Sequence, residues 1–273
     1  MPELPEVETV RRDLERYVLG TTVVGAEVTG TRTVRRQDPV AFIDEVSGHR
    51  FEGFSRRGKY LFAQFDGGKR MAVHLRMSGQ LLLRGRHDEL RVKHTHAVLD
   101  LDSGESLHFV DPRTFGELWM TTDSVEELNH IGPDALDELG DVDRLRRRLS
   151  GRRSGLKTLL MNQSVLAGIG NIYSDEILFR AGLRLTRTPD SLADPELAQL
   201  HVAIGEVLRE AVQARGSSLA DGQYVDLHGR SGTAQRQHRV YARGTQPCRR
   251  CDRPVDRIKV GGRSSFFCAN CQS

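Results

Sequence analysis

Apolar residues recur at helical spacing in the first twenty positions of the chain, and a β-type pattern follows. The apolar positions are Val7, Val10, Leu14 and Val18. They share one face at 3.6 residues per turn, and Gly20 is a natural stop. We therefore predict a helix over residues 5–19, in which Glu8 and Arg12 pair one turn apart.

Five short segments between residues 21 and 111 are rich in β-branched and aromatic residues and contain or end in Gly or Asp. They read TTVVGAEVTG, KYLFAQFDGG, MAVHLRMSGQLLL, HTHAVLDLDSG and SLHFVD. Such segments predict antiparallel strands, arranged in a sandwich or a barrel that extends to about residue 122.

From about residue 123 the pattern becomes helical. The helical segments read SVEELNHIG, DVDRLRRRLSG, GLKTLLMNQSVLAGIG and NIYSDEILFRAGL, and a longer amphipathic helix follows around residues 197–211. A chain of 273 residues is longer than one core usually holds. We predict an α+β protein with three domains, which cover residues 1–122, 123–222 and 223–273.

Charge is unevenly distributed along the chain, although the formal net charge is only +3. Residues 230–263 contain ten Lys/Arg and two Asp/Glu, a net charge of +8, and the other 30 basic and 35 acidic residues give −5. A basic end on a slightly acidic body indicates docking of a polyanion such as nucleic acid. A solubilising charged surface is the alternative.

Composition narrows the class of protein. A hydrophobic content of 38% and a charged content of 28% fit a globular protein with a core of its own. No run of about 18 apolar residues offers a membrane span, and the start lacks the apolar run of a signal peptide. We therefore expect a cytoplasmic protein.

All four cysteines lie near the end of the sequence. Cys248, Cys251, Cys268 and Cys271 form the pattern C-x2-C-x16-C-x2-C. Each C-x2-C turn can present two sulfurs to one tetrahedral ion, so the spacing indicates a structural zinc site. Two disulfides or a redox pair are the alternatives. Four protein ligands leave no open position, so this zinc is expected to be structural rather than catalytic.

The chain begins Met1, Pro2, Glu3, which places a proline beside a carboxylate. Once the initiator methionine is removed, Pro2 is a secondary amine that can attack an electrophilic carbon. An α-amino group titrates near pH ~8 in model peptides, and Glu3 can supply or remove the proton. An inert Met-Pro start is the alternative.

Two short motifs carry side chains suited to entering a base stack. LRMSG places Met77 just before a Gly turn, and DPRTFG places Arg113 and Phe115 on one face of an extended segment. Apolar wedges unstack and kink a duplex. Ordinary packing within the β domain is the alternative.

Further motifs are less specific. In GIGNIY, two glycines precede Asn171 and a helix start that can hold a phosphate, or they form a simple helix–helix turn. KHTH places His94 and His96 on one strand face, for a metal, a phosphate or solvent. Lys59 in RRGKY ends a basic cluster beside a strand, where a surface role is the alternative.

Taken in order, these motifs resemble the formamidopyrimidine-DNA glycosylases, relatives of endonuclease VIII, over essentially the whole chain. The motifs that carry the resemblance are MPELPEVETVRR, RRGKY, HLRMSG, KHTH, DPRTFG, LMNQSVLAGIGNIYSDEILF and the four-cysteine unit. The resemblance implies an N-terminal β-sandwich with an N-terminal helix, a helix–two-turn–helix domain and a C-terminal zinc-ribbon β-hairpin carrying one zinc ion. It also implies damaged double-stranded DNA between the lobes, a monomer and no small-molecule cofactor.

The activity implied is that of a bifunctional glycosylase and AP lyase, which excises oxidised purines such as 8-oxoguanine and formamidopyrimidines and then nicks the strand by β,δ-elimination. Pro2 would attack C1′ and form a Schiff base, and Glu3 would protonate the sugar ring oxygen. Glu6 would support this cluster from the first helical turn. Lys59 would contact phosphate and assist elimination. Arg263, after a Gly-Gly hairpin tip, would take part in the last elimination.

The resemblance also implies a set of DNA contacts. Met77, Arg113 and Phe115 would fill the gap left by the everted base. Phosphates would be held by His94, Arg153, Lys157 and Asn171, and Tyr241 would touch the backbone.

Two departures from the family pattern bear on specificity. Residues 232–235 read GTAQ in the loop expected to cover the everted base, and Arg76 stands before Met77 where glycine is usual. The first departure affects the expected lesion preference and the second the wedge. The rival interpretations are an endonuclease VIII-like enzyme for oxidised pyrimidines and a non-catalytic, zinc-dependent binder of damaged DNA.

Overall fold

A computed structural model describes residues 1–85, 92–121, 128–219 and 222–273. Two compact units are present. Unit 1 contains Met1–Leu128 and Ala214–Thr233, and unit 2 contains Asn129–Gln213 and Ala234–Ser273. The boundary predicted at residues 122 and 123 lies outside the described residues. The one predicted after residue 222 lies within the segment that belongs to unit 1, and the three-domain division stays a prediction.

Unit 1 begins with a helix and continues mainly as strands. The helices are α1 (Leu4–Tyr17) and α2 (Pro39–Val46). The strands are β1 (Val23–Val28), β2 (Phe51–Arg57), β3 (Tyr60–Phe65), β4 (Arg70–His74), β5 (Gln80–Gly85), β6 (Thr95–Leu101), β7 (Glu105–Val110) and β8 (Glu117–Thr121).

The strands form two antiparallel four-stranded sheets, β1-β6-β7-β5 and β2-β3-β4-β8. Apolar side chains of both sheets and of α1 share one buried cluster, which includes Val10, Phe51 and Phe109. Strands whose residues alternate between a buried face and an exposed face build such a sandwich, because the buried faces of the two sheets pack together. Of the two architectures that the sequence pattern allowed, the structure is therefore the sandwich.

The predicted N-terminal helix is confirmed. Pro5 stands in its first turn, where a missing N–H costs nothing. Glu8 does more than pair with Arg12, because its carboxylate also accepts from Arg11 and from Arg56 of β2. These bonds attach α1 to the second sheet.

Unit 2 contains the remaining helices and a hairpin. The helices are α3 (Val142–Leu149), α4 (Leu156–Met161), α5 (Asn171–Ala181) and α6 (Asp194–Gln213), and the strands are β9 (Asp256–Val260) and β10 (Arg263–Phe267). The helix–two-turn–helix prediction is confirmed: α4 and α5 are joined by turns in which Gln163 donates to Met161 O and Ile169 O.

Several predicted elements differ from the structure. The helical pattern over residues 155–170 ends at Met161, because the remaining apolar residues pack into the two-turn connection. Part of SVEELNHIG lies outside the described residues, and residues 128–132 form turns rather than a regular α-helix. The sequence pattern missed α2, β2 and β8.

Candidate functional site

The amino terminus is anchored in unit 1. Pro2 and Glu3 are buried, and Glu3 retains only 1% exposure. Glu3 is the N-cap of α1, and the Glu3 N–H donates to Glu6 Oε2 at 2.8 Å. This reciprocal capping box holds the first residues in one conformation. The chain start is thus ordered, unlike an ordinary terminus.

Glu6 connects this start to the segment Ala214–Thr233. Its Oε1 accepts the N–H of Ser217 at 2.7 Å, and the residue is only 1% exposed. The neighbouring Gly216 has φ +77°, and a Cβ there would lie 2.8 Å from Glu6 Oε1. Only glycine fits so close to the carboxylate. Sequence spacing could not reveal this contact, because more than 200 residues separate the partners.

Lys59 occupies the tight turn between β2 and β3 and is 9% exposed. His74 lies on β4 opposite Tyr60, and its ring packs edge-on against the Tyr60 ring at 4.4 Å. Burial, together with the charges of Arg76 and Lys59, lowers the pKa of His74 to about 3. Sequence reasoning missed the neutral His74 beside Lys59. The position of His74 directly before the LRMSG motif could have pointed to it.

The two loops predicted to enter a base stack both project exposed apolar side chains. Met77 is 36% exposed and Phe115 is 42% exposed. The Arg113 guanidinium stands 5.0 Å from the centre of the Phe115 ring. The backbone of the Arg113–Phe115 segment forms a turn in which Thr114 has φ 54°, so the extended conformation predicted for this segment is wrong. The side chains of Arg113 and Phe115 nevertheless lie against each other.

His94 and His96 do not share a strand face as predicted. His94 is exposed in the turn before β6 with φ 66°, whereas His96 lies within β6 and its Nε2 contacts Asp111 O at 2.8 Å. The left-handed backbone at His94 turns its side chain away from the strand pattern. A metal site shared by the two rings is therefore not formed.

In unit 2, α5 begins at the glycine-preceded Asn171. Its Nδ2 donates to Ser264 O of β10 at 3.1 Å, and its Oδ1 is buried without a hydrogen-bond partner. The tip of the hairpin is Gly261-Gly262, at φ 55° and 78°, which is the geometry of a type I′ turn. Arg263 follows this tip, as the sequence predicted, and it is an exposed residue paired with Val260.

Lys157 is placed differently from the phosphate contact predicted for it. Its side chain is 0% exposed, and its Nζ lies 2.5 Å from Asp175 Oδ1 and 3.5 Å from Asn171 O. The other oxygen of Asp175 accepts the N–H of Phe266 at 2.9 Å. Lys157 is therefore a buried partner of Asn171 and Asp175. Arg153, by contrast, is exposed.

Glu176, the next residue of α5, orders the segment before the cysteines. Its carboxylate accepts the N–H groups of Arg239, Val240 and Tyr241 at 2.8–2.9 Å. The Tyr241 ring packs edge-on against Phe266 at 5.5 Å. Thus α5 fixes both Tyr241 and the hairpin.

The four cysteines converge at the base of the hairpin. Their sulfurs all lie within 4.8 Å of one another, and none is in a disulfide. Zn–S bonds of about 2.3 Å in a tetrahedron place sulfurs roughly 3.8 Å apart. The observed separations of 3.9 Å for Cys248–Cys271 and 3.5 Å for Cys251–Cys268 fit that geometry. The site suits one structural zinc ion, as predicted.

Family comparisons cover nearly the whole chain. Residues 1–118 match the formamidopyrimidine-DNA glycosylase N-terminal domain, residues 131–222 match the H2TH domain of the same glycosylase, and residues 246–273 match the zinc finger found in FPG and IleRS. None of the helices in the described part of the chain combines the length and apolar content needed to cross a membrane.

Similar proteins agree with these matches. The formamidopyrimidine-DNA glycosylase of Desulfitobacterium hafniense is 40% identical over 276 residues, with all of both chains covered. That of Heliobacterium modesticaldum is 42% identical over 278 residues, again with both chains covered.

Solved structures of the Lactococcus lactis FPG are also similar. Its complex with Fapy-dG-containing DNA has a TM-score of 0.89 and its complex with abasic-site DNA one of 0.91; both are 33% identical and cover 99% of each chain. The combination of a β-sandwich, H2TH helices and a cysteine hairpin defines a class of DNA glycosylase. This chain belongs to the formamidopyrimidine-DNA glycosylase family.

Proposed function

We propose that this chain is a bifunctional DNA glycosylase and AP lyase of base excision repair that removes oxidised purines, with 8-oxoguanine and formamidopyrimidines as substrates. The observation that carries the proposal is the anchored start of α1, where Pro2 is buried and the neighbouring Glu3 is bonded to Glu6, in a chain that matches its family from end to end. Its substrate is damaged double-stranded DNA, and it acts as a monomer. Bacterial relatives support a cytoplasmic location.

Removal of Met1 turns the Pro2 amide into a secondary amine. Its nitrogen forms a bond to C1′ of the damaged nucleoside while the bond from C1′ to the base breaks, and the proton that the amine gives up leaves with the base. Glu3 protonates the sugar ring oxygen as the ring opens, which yields the Schiff base. Glu6 keeps Glu3 in place, because it bonds the Glu3 and Ser217 backbones together.

The Schiff base makes the C2′ proton acidic, and its loss expels the 3′ phosphate by β-elimination. A second elimination then releases the 5′ phosphate. Lys59, close to the neutral His74, contacts phosphate and assists elimination, and Arg263 at the hairpin tip takes part in the last step. Guanidinium and ammonium groups stabilise the charge on a leaving phosphate.

Extraction of a base from a duplex needs a wedge and phosphate anchors. Met77, Arg113 and Phe115 fill the gap left by the everted base, in keeping with their exposure and with the Arg113–Phe115 stacking. Four residues serve phosphate contacts: His94, Arg153, Asn171 and Tyr241. Lys157 acts on this set through Asn171, because its own ammonium is buried. Cys248, Cys251, Cys268 and Cys271 would hold a structural zinc ion that stabilises the hairpin carrying Arg263.

The test is borohydride trapping on a duplex carrying 8-oxoguanine opposite cytosine, after intact mass shows that Met1 is absent. We expect a covalent adduct for the natural protein and a large loss of adduct for Pro2→Gly, with DNA binding kept. A version that retains Met1 is the matched control, because it has the same side chains but an amide at Pro2.

The possible results separate the candidate functions. Undiminished trapping by Pro2→Gly would identify another amine as the nucleophile. Trapping on an oxidised pyrimidine in place of 8-oxoguanine would reassign the substrate. This outcome has to be tested because residues 232–235 depart from the family pattern. DNA binding without any adduct would favour the non-catalytic binder.

A further inference from the structure

The loop that carries Met77 and the loop that carries Arg113 and Phe115 are joined through a carboxylate that the proposed mechanism does not use. Glu117 directly follows the second loop as the first residue of β8, opposite His74 in the β4–β8 register. This register brings Glu117 close to Arg76, two residues after His74. Three arginines converge on its carboxylate, which is only 6% exposed.

Each arginine has a defined place on this carboxylate. Arg76 donates to Oε1 through Nη2 at 2.8 Å and through Nε at 3.2 Å, and Arg36 reaches Oε2 at 2.8 Å. Arg35 Nη2 lies 2.9 Å from Oε1 and donates to the backbone oxygen of Phe115, also at 2.9 Å. Glu117 thus holds Arg76 beside Met77 and Arg35 on Phe115.

Arg76 occupies a backbone conformation that it would not choose by itself. Its φ is 53°, in the left-handed region where glycine is favoured, and its N–H donates to His74 Nδ1 at 2.9 Å. Such strain persists only where surrounding bonds hold it. The two hydrogen bonds from Arg76 to Glu117 Oε1 supply that restraint and keep Met77 at the outer point of the turn.

The residue on the other side of Met77 is tied to the same loop. Ser78 donates its hydroxyl to Asp111 Oδ1 at 2.6 Å, and Asp111 is 0% exposed. Asp111 also accepts the N–H groups of Arg113 and Gly116 at 3.1 and 2.6 Å. Both neighbours of Met77 are therefore bonded to acids that bracket Arg113 and Phe115.

Of the two acids, Glu117 and Asp111, Glu117 should be the more sensitive to loss of its negative charge. Three guanidinium groups around one carboxylate leave a local excess of two positive charges. Without the carboxylate, these three like charges repel at close range, and the two loops lose their common anchor. Burial by itself would raise the pKa of Glu117, but hydrogen bonds from the neighbouring arginines outweigh it and hold the pKa at about 2, so the anchor is ionised throughout the neutral range.

We infer that Glu117 is a positioning residue that, through Arg76 and Arg35, locks the Met77 loop to the Arg113–Phe115 loop so that they enter the base stack as one rigid wedge. This inference rests on the proposed function, because it assumes that the two loops act on a duplex. It concerns lesions that must be everted. An abasic site has no base to extract and depends less on the wedge.

The experiment compares Glu117→Gln with the natural protein on two duplexes, one with 8-oxoguanine and one with a preformed abasic site. Single-turnover excision of 8-oxoguanine should fall about tenfold to a hundredfold, because small misplacements of positioning groups cost that much. Borohydride trapping on the abasic duplex should change by less than about threefold, since eversion is least demanding there. Glu117→Asp should recover part of the loss.

Two further variants separate positioning from general destabilisation. Arg76→Gly removes the bond to Glu117 while it relieves the left-handed backbone, so the protein should be no less stable but should still lose excision of 8-oxoguanine severalfold. Glu196→Gln is the matched control, because Glu196 also bonds an arginine, Arg187, and has its pKa lowered to about 2. It lies in unit 2 and should leave excision unchanged.

A direct readout does not depend on activity. Amide hydrogen exchange of residues 111–116 should become faster in Glu117→Gln and should stay unchanged in Glu196→Gln. The inference is overturned if exchange there is unaltered, if Arg76→Gly or Glu117→Gln excises 8-oxoguanine normally, or if both duplexes lose activity equally. If the natural protein forms no adduct with either duplex, the proposed function fails instead, and the exchange data still decide whether Glu117 joins the loops.

Discussion

Two buried carboxylates, Glu117 in unit 1 and Asp175 in unit 2, each hold a loop or hairpin with predicted DNA contacts, yet their environments are opposite. Glu117 faces three arginines, and its pKa is lowered to about 2. Asp175 faces one lysine, Lys157, and burial raises its pKa to about 7 in spite of that partner.

The difference lies in the solvation of the partners. The side chains of the three arginines around Glu117 are 29–42% exposed, so their guanidinium groups retain much of their hydration. Lys157 is 0% exposed, so both ions of its pair have lost water, and attraction must first offset two desolvation costs. An ion pair is therefore no measure of stabilisation until the exposure of each partner is known.

The difference also separates two uses of basic residues. The excess positive charge around Glu117 borders exposed side chains that the proposed mechanism places in DNA. Asp175 neutralises Lys157, and the pair orients Asn171 and the Phe266 backbone instead. Replacement of each acid or base in turn tests this contrast.

The largest effect on stability is expected for Lys157→Met. This change leaves Asp175 buried with only the Phe266 N–H, and removal of one partner of a buried pair costs about 3–5 kcal/mol. Urea unfolding of unit 2 should show this loss. Lys93→Met, a matched change at an exposed lysine, should be close to neutral.

The double variant Lys157→Met/Asp175→Leu sharpens the same point. Apolar replacement of both partners removes both desolvation costs and should recover most of the lost stability. If the double variant is as unstable as the single one, the pair is a net source of stability and the contrast with Glu117 is wrong.

The two carboxylates should also give opposite pH dependence. Asp175 has a raised pKa, so its contribution to the free energy of unfolding is complete below about pH 4 and is lost as the pH rises through about 7. Glu117 has a lowered pKa, so its contribution is present above about pH 4.5 and is lost as the pH falls through about 2. At about 1.4 kcal/mol per pKa unit, the effect should be roughly 4 kcal/mol for Asp175 and smaller for Glu117, whose arginine partners remain partly solvated.

Separate probes can follow the two units. Fluorescence of Trp119, the single tryptophan, reports unit 1, and hydrogen exchange of the Phe266 amide reports unit 2. Asp175→Asn should flatten the dependence of unit 2 between pH 4 and 7. Glu117→Gln should flatten that of unit 1 in acid. A common slope in both units would contradict the contrast.

The smallest effect is expected for Arg36→Ala. Two arginines remain on Glu117, and the lost contacts include one partly exposed bond and a cation–π contact at 3.9 Å from the Trp119 ring. The cost should be about 1 kcal/mol in Trp119-monitored unfolding. Arg35→Ala is the comparison, because it also releases the Phe115 backbone and should slow excision where Arg36→Ala does not. If both variants excise 8-oxoguanine equally well, Arg35 does not help to position the Arg113–Phe115 loop.

The sequence by itself determined the features that depend on short spacing. The apolar repeat predicted α1, the two C-x2-C turns predicted the zinc site, and Gly261-Gly262 predicted the hairpin tip. The order of the motifs was sufficient to indicate the family. These features are local, because helix periodicity, turn geometry and chelate spacing are set by residues within a few positions of each other.

Only the tertiary structure decided which charges meet. Glu6 reaches Ser217, Lys157 reaches Asp175, and the β4–β8 register brings Arg76 to Glu117, 41 residues away. The sequence predicted Lys157 as a phosphate contact, but burial turned it into a partner of Asp175. Such partners cannot be found from spacing, because sheet register and helix packing choose them, and the same residue types are equally compatible with an exposed surface.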